Sequence, residues 1–160
     1  MSVQLLIMSS DAQVRYFEVL PVTVAELDRV LLTNERTVVA MVAARVLPTA
    51  LLFQILIRIK DWDGTNPNLA FELPHLLEPG NLRLGVRAQR ASEGLEVPLR
   101  VAGGGGGNGS FELKMWFELP SVATGLQVWA EWLERNLPEH NVELDVHMIR
   151  AAAARCIPLW

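Results

Sequence analysis

Between Leu51 and Lys60 the chain places Leu51, Phe53, Ile55, Ile57 and Ile59 on one parity and Gln54, Arg58 and Lys60 on the other. Successive side chains of a strand point to opposite faces, so this period of two predicts a strand with one dry and one wet face. The preceding stretch, Thr37 to Val46, is rich in Val and Ala, and Leu47-Pro48-Thr49 separates the two. Proline has no amide hydrogen for a ladder, so the pair reads as an antiparallel hairpin. The same residues rule out a membrane-spanning helix here, because Pro48, Gln54 and Arg58 interrupt the strongest apolar run.

Alternation recurs along the chain. Asn81 to Ala88 sets Leu82, Leu84, Val86 and Ala88 against Arg83 and Arg87, and Val97 to Ala102 is a shorter candidate. Ser110 to Leu119 sets Phe111, Leu113, Met115 and Phe117 against Glu112, Lys114, Trp116 and Glu118. Leu126 to Leu133 sets Leu126, Val128, Ala130 and Trp132 against Gln127, Trp129 and Glu131. Weaker strands are expected near Val3 to Met8 and Val14 to Val22. A short helix from Thr23 to about Leu32 competes with a strand, because Thr23-Val24-Ala25-Glu26 has capping-box spacing. At the carboxyl end, Ala151 to Ala154 follow Glu143 and Asp145 and precede Arg155 and Pro158, which suits a helix and its dipole. The expected fold is therefore mainly β: a single-domain antiparallel β-sandwich of about seven to nine strands, with a C-terminal α-helix over 143–156 and a glycine-rich loop over 103–109. A chain of 160 residues fits one domain, and at that size about 70% of the unfolded surface is buried without a metal or disulfide.

Charge narrows the partners. With 14 Lys plus Arg against 18 Asp plus Glu, the net charge of -4 leaves little electrostatic case for nucleic acid or an anionic membrane. Arg83, Arg87, Arg90 and Arg100 are locally basic, but Glu93 and Glu96 dilute them and no aromatics are interleaved as in single-strand binders. The start at Met1-Ser2-Val3-Gln4, with Asp11 soon after, lacks the basic and apolar regions of an export signal. Cys156 is the single cysteine, so no internal disulfide forms and a cytoplasmic setting is expected. Asn108-Gly109-Ser110 matches a glycosylation acceptor, but Asn-Gly is more simply a turn.

Several segments together resemble a family of small actinobacterial β-rich proteins that carry a glycine run and a C-terminal Ala-rich helix ending in Leu-Trp. They are Val30-Leu31-Leu32-Thr33-Asn34-Glu35, the Leu47-Pro48-Thr49 corner, Asn81-Leu82-Arg83-Leu84-Gly85-Val86, the glycine run, Trp116, Leu119-Pro120, Glu131-Trp132, Ile149 to Arg155, and Leu159-Trp160. The chain departs from the family pattern at Leu133, where proline is usual, and in its short 89–96 link. The resemblance implies a shared β-rich fold and names no substrate.

No catalytic set emerges. Gly104, Gly106 and Gly109 satisfy G-x-G-x-x-G, but the residues that follow alternate like a strand, whereas a dinucleotide site needs them to open a helix. The loop reads as a pliable connection, with Gly104, Gly106 and Asn108 as candidate backbone contacts for an anion or partner. His140, Glu143 and His147 share a face on a helix, and Glu143, Asp145 and His147 share one on a strand, yet neither is a recognised zinc spacing. Ser9, Ser10, Ser92, Ser110 and Ser121 lack a nucleophile elbow, and Cys156 beside Arg155 reads as a small buried hydrophobe. No cofactor, metal or catalytic residue is assigned.

The informative oddity is tryptophan on nominally wet parities. If Ser110–Leu119 and Leu126–Leu133 form a hairpin about Pro120–Gly125, a symmetric register pairs Trp116 with Trp129. A cross-strand aromatic pair contributes roughly 0.2 to 1 kcal/mol, too little to leave two such surfaces in water. The C-terminal helix, a protein partner or second subunit, and a flat ligand such as a sugar are the three possible covers. The expected function is a non-catalytic interaction or self-assembly module, a homo-oligomer in its simplest form, with the glycine loop at the rim of its contact face. A small-ligand binder or hydrolase with a pocket between the sheets is the alternative.

Overall fold

A computed structural model of the chain describes residues 19–64 and 80–159. Twelve strands run through them: β1 (Val19–Leu20), β2 (Val22–Thr23), β3 (Arg29–Thr33), β4 (Thr37–Val46), β5 (Ala50–Ile59), β6 (Arg83–Arg90), β7 (Glu93–Val97), β8 (Arg100–Gly107), β9 (Ser110–Glu118), β10 (Gly125–Trp132), β11 (Leu137–Leu144) and β12 (Ile157–Pro158). Among the described residues one α-helix, α1, spans Val146–Ala154. The first sheet has the order β2-β4-β5-β9-β8, with β3 also on β4, and the second has the order β11-β10-β6-β7. Strands β1 and β12 form a separate pair. Every pairing is antiparallel.

The period-two pattern is realised as a sandwich core. Val39, Met41, Phe53, Ile55, Ile57, Phe111, Leu113, Met115 and Phe117 of the first sheet join Leu84, Val86, Ala88, Leu126, Val128, Ala130 and Trp132 of the second in one buried cluster. Hiding each large side chain stabilises the fold by about 1.5–3 kcal/mol, and a slip of one residue would turn a whole strand's set outward, so the pattern fixes register. The expected hairpin is β4–β5, closed by a hydrogen bond from Leu47 N to Ala50 O of 2.8 Å.

One flank of the sandwich is closed where β3 meets β11: His140 Nδ1 lies 2.8 Å from Leu31 O, and Asn34 Nδ2 donates to Arg135 O at 2.8 Å. On the opposite flank the chain steps from β7 to β8, from one sheet to the other, through Pro98-Leu99. Val97–Ala102, expected as one strand, is divided at this step because Pro98 cannot donate to a ladder. Helix α1 packs Val146, Ile149 and Ala152 into the core, and the Asp145 side chain caps it by accepting from Met148 N at 3.0 Å. It is shorter than the expected 143–156, since Glu143 and Leu144 complete β11.

The Thr23–Leu32 segment is one 3-10 turn, Ala25–Leu27, followed by β3. The apolar parity around Val30 to Leu32 pairs with β4, and the Thr23 capping box is not used. The expected strand Val3–Met8, and 14–18 of the expected Val14–Val22, lie outside the described residues. Among the described residues no helix is long and apolar enough to cross a membrane.

Candidate functional site

The glycine run is strand, not loop. Gly103 to Gly107 belong to β8 and pair with β9 from Lys114 to Ser110, leaving only Asn108 and Gly109 as the turn. Both turn residues have positive φ, 55° and 78°, as a two-residue type I′ hairpin demands and as Asn-Gly supplies. Gly109 O accepts from Ile59 N at 2.7 Å, which ties this turn to the end of β5. Alternation misled here because glycine carries no side chain to alternate; the flanking β9 pattern and the Asn-Gly pair were the available signal.

The glycines of β8 divide into two kinds. A Cβ on Gly104 would lie 2.8 Å from Glu112 O and 2.9 Å from Leu113 Cδ2, and one on Gly106 would press on Ser110 O and the Phe111 backbone. These two face inward against β9, and Gly106 also has φ 146°, which other residues rarely adopt. A Cβ on Gly105 or Gly107 would meet nothing within 4 Å, and neither has positive φ. A trough of about 470 Å³ runs beside Ala102 to Gly106 and is walled by Ser110, Glu112 and Lys114, with Gly105 among the glycines that line it.

Among the described residues strand β8 ends its sheet, with β9 on one side and no strand on the other. Counting the antiparallel alternation from the Asn108–Gly109 turn, Gly107 and Gly105 bond to β9, and the amides of Gly104 and Gly106 point to the open side. The remaining flanks differ. Edge strand β7 is five residues long, carries Glu93 and Glu96 and stops before Pro98, which are features that discourage strand pairing. The β3–β11 flank is bridged, as described above. From Gly103 to Gly107, β8 has no side chain at all to obstruct another backbone.

The tryptophans occupy different sheets, so the expected Trp116–Trp129 pair does not form. Trp116 on β9 stands opposite Leu52 and Arg100, and Trp129 on β10 opposite Gly85 and Asn141. The Leu119–Thr124 link that sequence symmetry suggests as a hairpin turn instead carries the chain from one sheet to the other, so β9 and β10 each find partners elsewhere. Nor are the rings left in water: Trp116 is 1% exposed and Trp129 6%. Trp116 is covered by Leu47, Ala50, Val19 and Leu52, with the Arg100 guanidinium 5.6 Å from its ring, and its Nε1 has no hydrogen-bond partner.

Trp129 lies over the bare backbone of Gly85, flanked by the guanidinium groups of Arg83 at 5.5 Å and Arg87 at 4.8 Å. Arg87 bridges Glu96 at 2.7 Å and Glu139 at 2.8 Å. The hydrogen bond from Arg87 holds the Glu139 carboxyl below its usual range, and those to Glu139 and Glu96 raise the pKa of Arg87. Gly85 was the missed residue, legible only once its cross-strand neighbour is known.

The remaining candidates are occupied separately. Glu143 accepts from Gln127 Nε2 at 2.9 Å, His140 is engaged with Leu31, and His147 stands on α1, so the histidines and acids are not gathered into one cluster. Burial raises the pKa of Cys156, whose Sγ lies 3.2 Å from Val46 O. Between β7 and β8 a cleft of about 330 Å³ is lined by Ala88, Leu95, Val97, Leu119, Arg100 and Glu118 among others.

No family model matches the chain, and no curated protein matches it. The crystal structure of a conserved domain protein from Bacillus anthracis is similar at TM-score 0.37 and 11% identity, over 83% of this chain and 48% of that one. The chain thus spans about half the length of that protein, and the likeness is too slight to bear on function.

Proposed function

We propose that the protein is a non-catalytic interaction module that accepts an extended polypeptide as an added strand on the open side of β8. The observation that carries this reading is the contrast between flanks: β8 ends its sheet with five consecutive residues free of side chains, whereas β7 is short and acidic. Main-chain hydrogen bonds supply affinity in strand addition, and an edge without bulky groups gives them room. The proposed setting is the cytoplasm. Panning a random linear peptide library against the protein tests the reading. Binders should slow hydrogen exchange at the Gly104 and Gly106 amides and lose affinity when their own backbone is N-methylated. Binders that leave those amides unprotected, or an empty selection, would refute it.

A second reading, a small-ligand binder, draws on the cleft between the sheets, where Arg100 and Glu118 border an apolar lining. Among the described residues that lining holds no Ser, Cys or His, which disfavours the hydrolase form of the idea. Saturable heat release on titration with small amphipathic carboxylates, abolished by Leu95→Arg, would support it, and no binding would remove it.

A further inference from the structure

The molecule already shows how it treats a bare stretch of strand. On the outer face of the second sheet, Gly85 is covered by the ring of its cross-strand neighbour Trp129, which is thereby only 6% exposed. On β8 the equivalent outward positions, Gly105 and Gly107, stand beside Glu112 and Ser110 of β9, and neither residue reaches over them: a Cβ at either glycine would meet open space. Close approach explains Gly104 and Gly106. Neither contact nor backbone conformation explains Gly105 and Gly107, although glycine in a strand interior is destabilising relative to alanine.

We infer that the bare outer face at Gly105 and Gly107 receives large, chiefly aromatic side chains from alternate positions of the incoming strand, so that the partner is an extended segment with an aromatic on every second residue. This rests on the strand-addition reading and specifies its ligand. Strand geometry supports the match, since residues two apart on an added strand project to the same face, above glycines that are themselves two apart. The trough of about 470 Å³ is lined on this face by Gly105, and Glu112 and Lys114 set one acidic and one basic group along its inner wall. A second copy of β8 is the poorer occupant. It would set glycine against glycine and contribute no side chain to this bare face.

The test uses three labelled peptides of equal length, read by fluorescence anisotropy. One alternates Thr with Trp or Tyr, one alternates Thr with Val, and one is the aromatic peptide N-methylated at alternate amides. The aromatic peptide should bind at least about ten-fold more tightly than the Val peptide, a difference of about 1.4 kcal/mol, and the methylated peptide should not bind. Gly105→Leu fills the trough without touching the open amides. It should weaken the aromatic peptide about ten-fold or more, leave Val-peptide affinity within about two-fold, and keep or raise the melting temperature. Should Gly105→Leu fold poorly, Gly107→Val fills the neighbouring bare outward position. Equal affinity for the Val and aromatic peptides would overturn the aromatic specificity while leaving strand addition standing. Failure of both to bind or to protect the Gly104 and Gly106 amides would remove strand addition as well. A solution mass of twice 17.8 kDa that falls to monomer in Gly105→Leu would assign the edge to a second copy and overturn the inference.

Discussion

Replacing Gly85 with alanine probes the packing of Trp129 more sharply than any substitution of the tryptophan itself. The new Cβ would come within 2.6 Å of Trp129 Cζ2 and closer still to Nε1 and Cε2, so the ring must lift from β6. Lifting it weakens two cation–π contacts, to Arg83 and Arg87, each worth about 0.5–1 kcal/mol in a part-exposed setting. Forcing one methyl group into a packed site adds about 1–3 kcal/mol. Against this, alanine in place of glycine relieves about 0.5–1 kcal/mol of backbone entropy. The net destabilisation is about 1–4.5 kcal/mol. Urea unfolding followed by far-UV circular dichroism measures it, because the backbone signal does not depend on the indole being moved. The decisive arm is Trp129→Ala, in which the clash is gone and Gly85→Ala should become neutral or stabilising. A coupling energy of about 2 kcal/mol between the two sites is expected, within the range seen for residues in contact. Equal cost in both backgrounds would refute the account, since the glycine would then be required by β6 alone.

Two further outcomes follow from local chemistry. Thr37 is 1% exposed and its Oγ1 has no partner, while its backbone is already bonded through N to Asn34 Oδ1 and through O to Asn34 N. Thr37→Val keeps the shape and those backbone bonds while removing a buried unsatisfied hydroxyl, so thermal unfolding should show a gain of about 1 kcal/mol. Arg87→Gln should reduce stability at neutral pH and have less effect in acid. The folded pKa of Glu139 is depressed below 4.5 by its hydrogen bond from Arg87. Its contribution is therefore present above the ordinary value and lost as pH falls through the lower folded one. The gap in unfolding free energy between wild type and Arg87→Gln should narrow below pH 4.5; a gap independent of pH would mean that the ion pair is not its source.

The paired strands β4 and β5, the inward set of β9 and the apolar face of β10 were all legible because each buries alternate residues against the opposite sheet, a repeat that β4 breaks once at a bulge between Val42 and Arg45. What the repeat does not encode is which strands meet. Leu119–Thr124 is equally compatible with a hairpin turn and with a crossing between sheets, and local side-chain parity is identical in both. The choice depends on long-range pairing of β9 with β5 and β8, and of β10 with β6 and β11. The expected tryptophan pair was lost at that point, although both rings do lie on outer parities as the pattern required.

Parity and exposure are also separate properties. Trp116 and Trp129 occupy outward positions, yet neighbours on the same face close over them, Leu52 and Arg100 for the first and the two arginines with Gly85 for the second. A period of two assigns a side, and the bulk of cross-strand neighbours decides whether that side is wet. By the same logic the glycine run, which offers no parity at all, resembles a loop in sequence and is a strand whose emptiness is its main physical property. The residues that most distinguish this surface are those where side chains are missing. They leave an edge with backbone groups to satisfy and a trough to fill, and an incoming strand with alternate bulky residues meets both requirements at once.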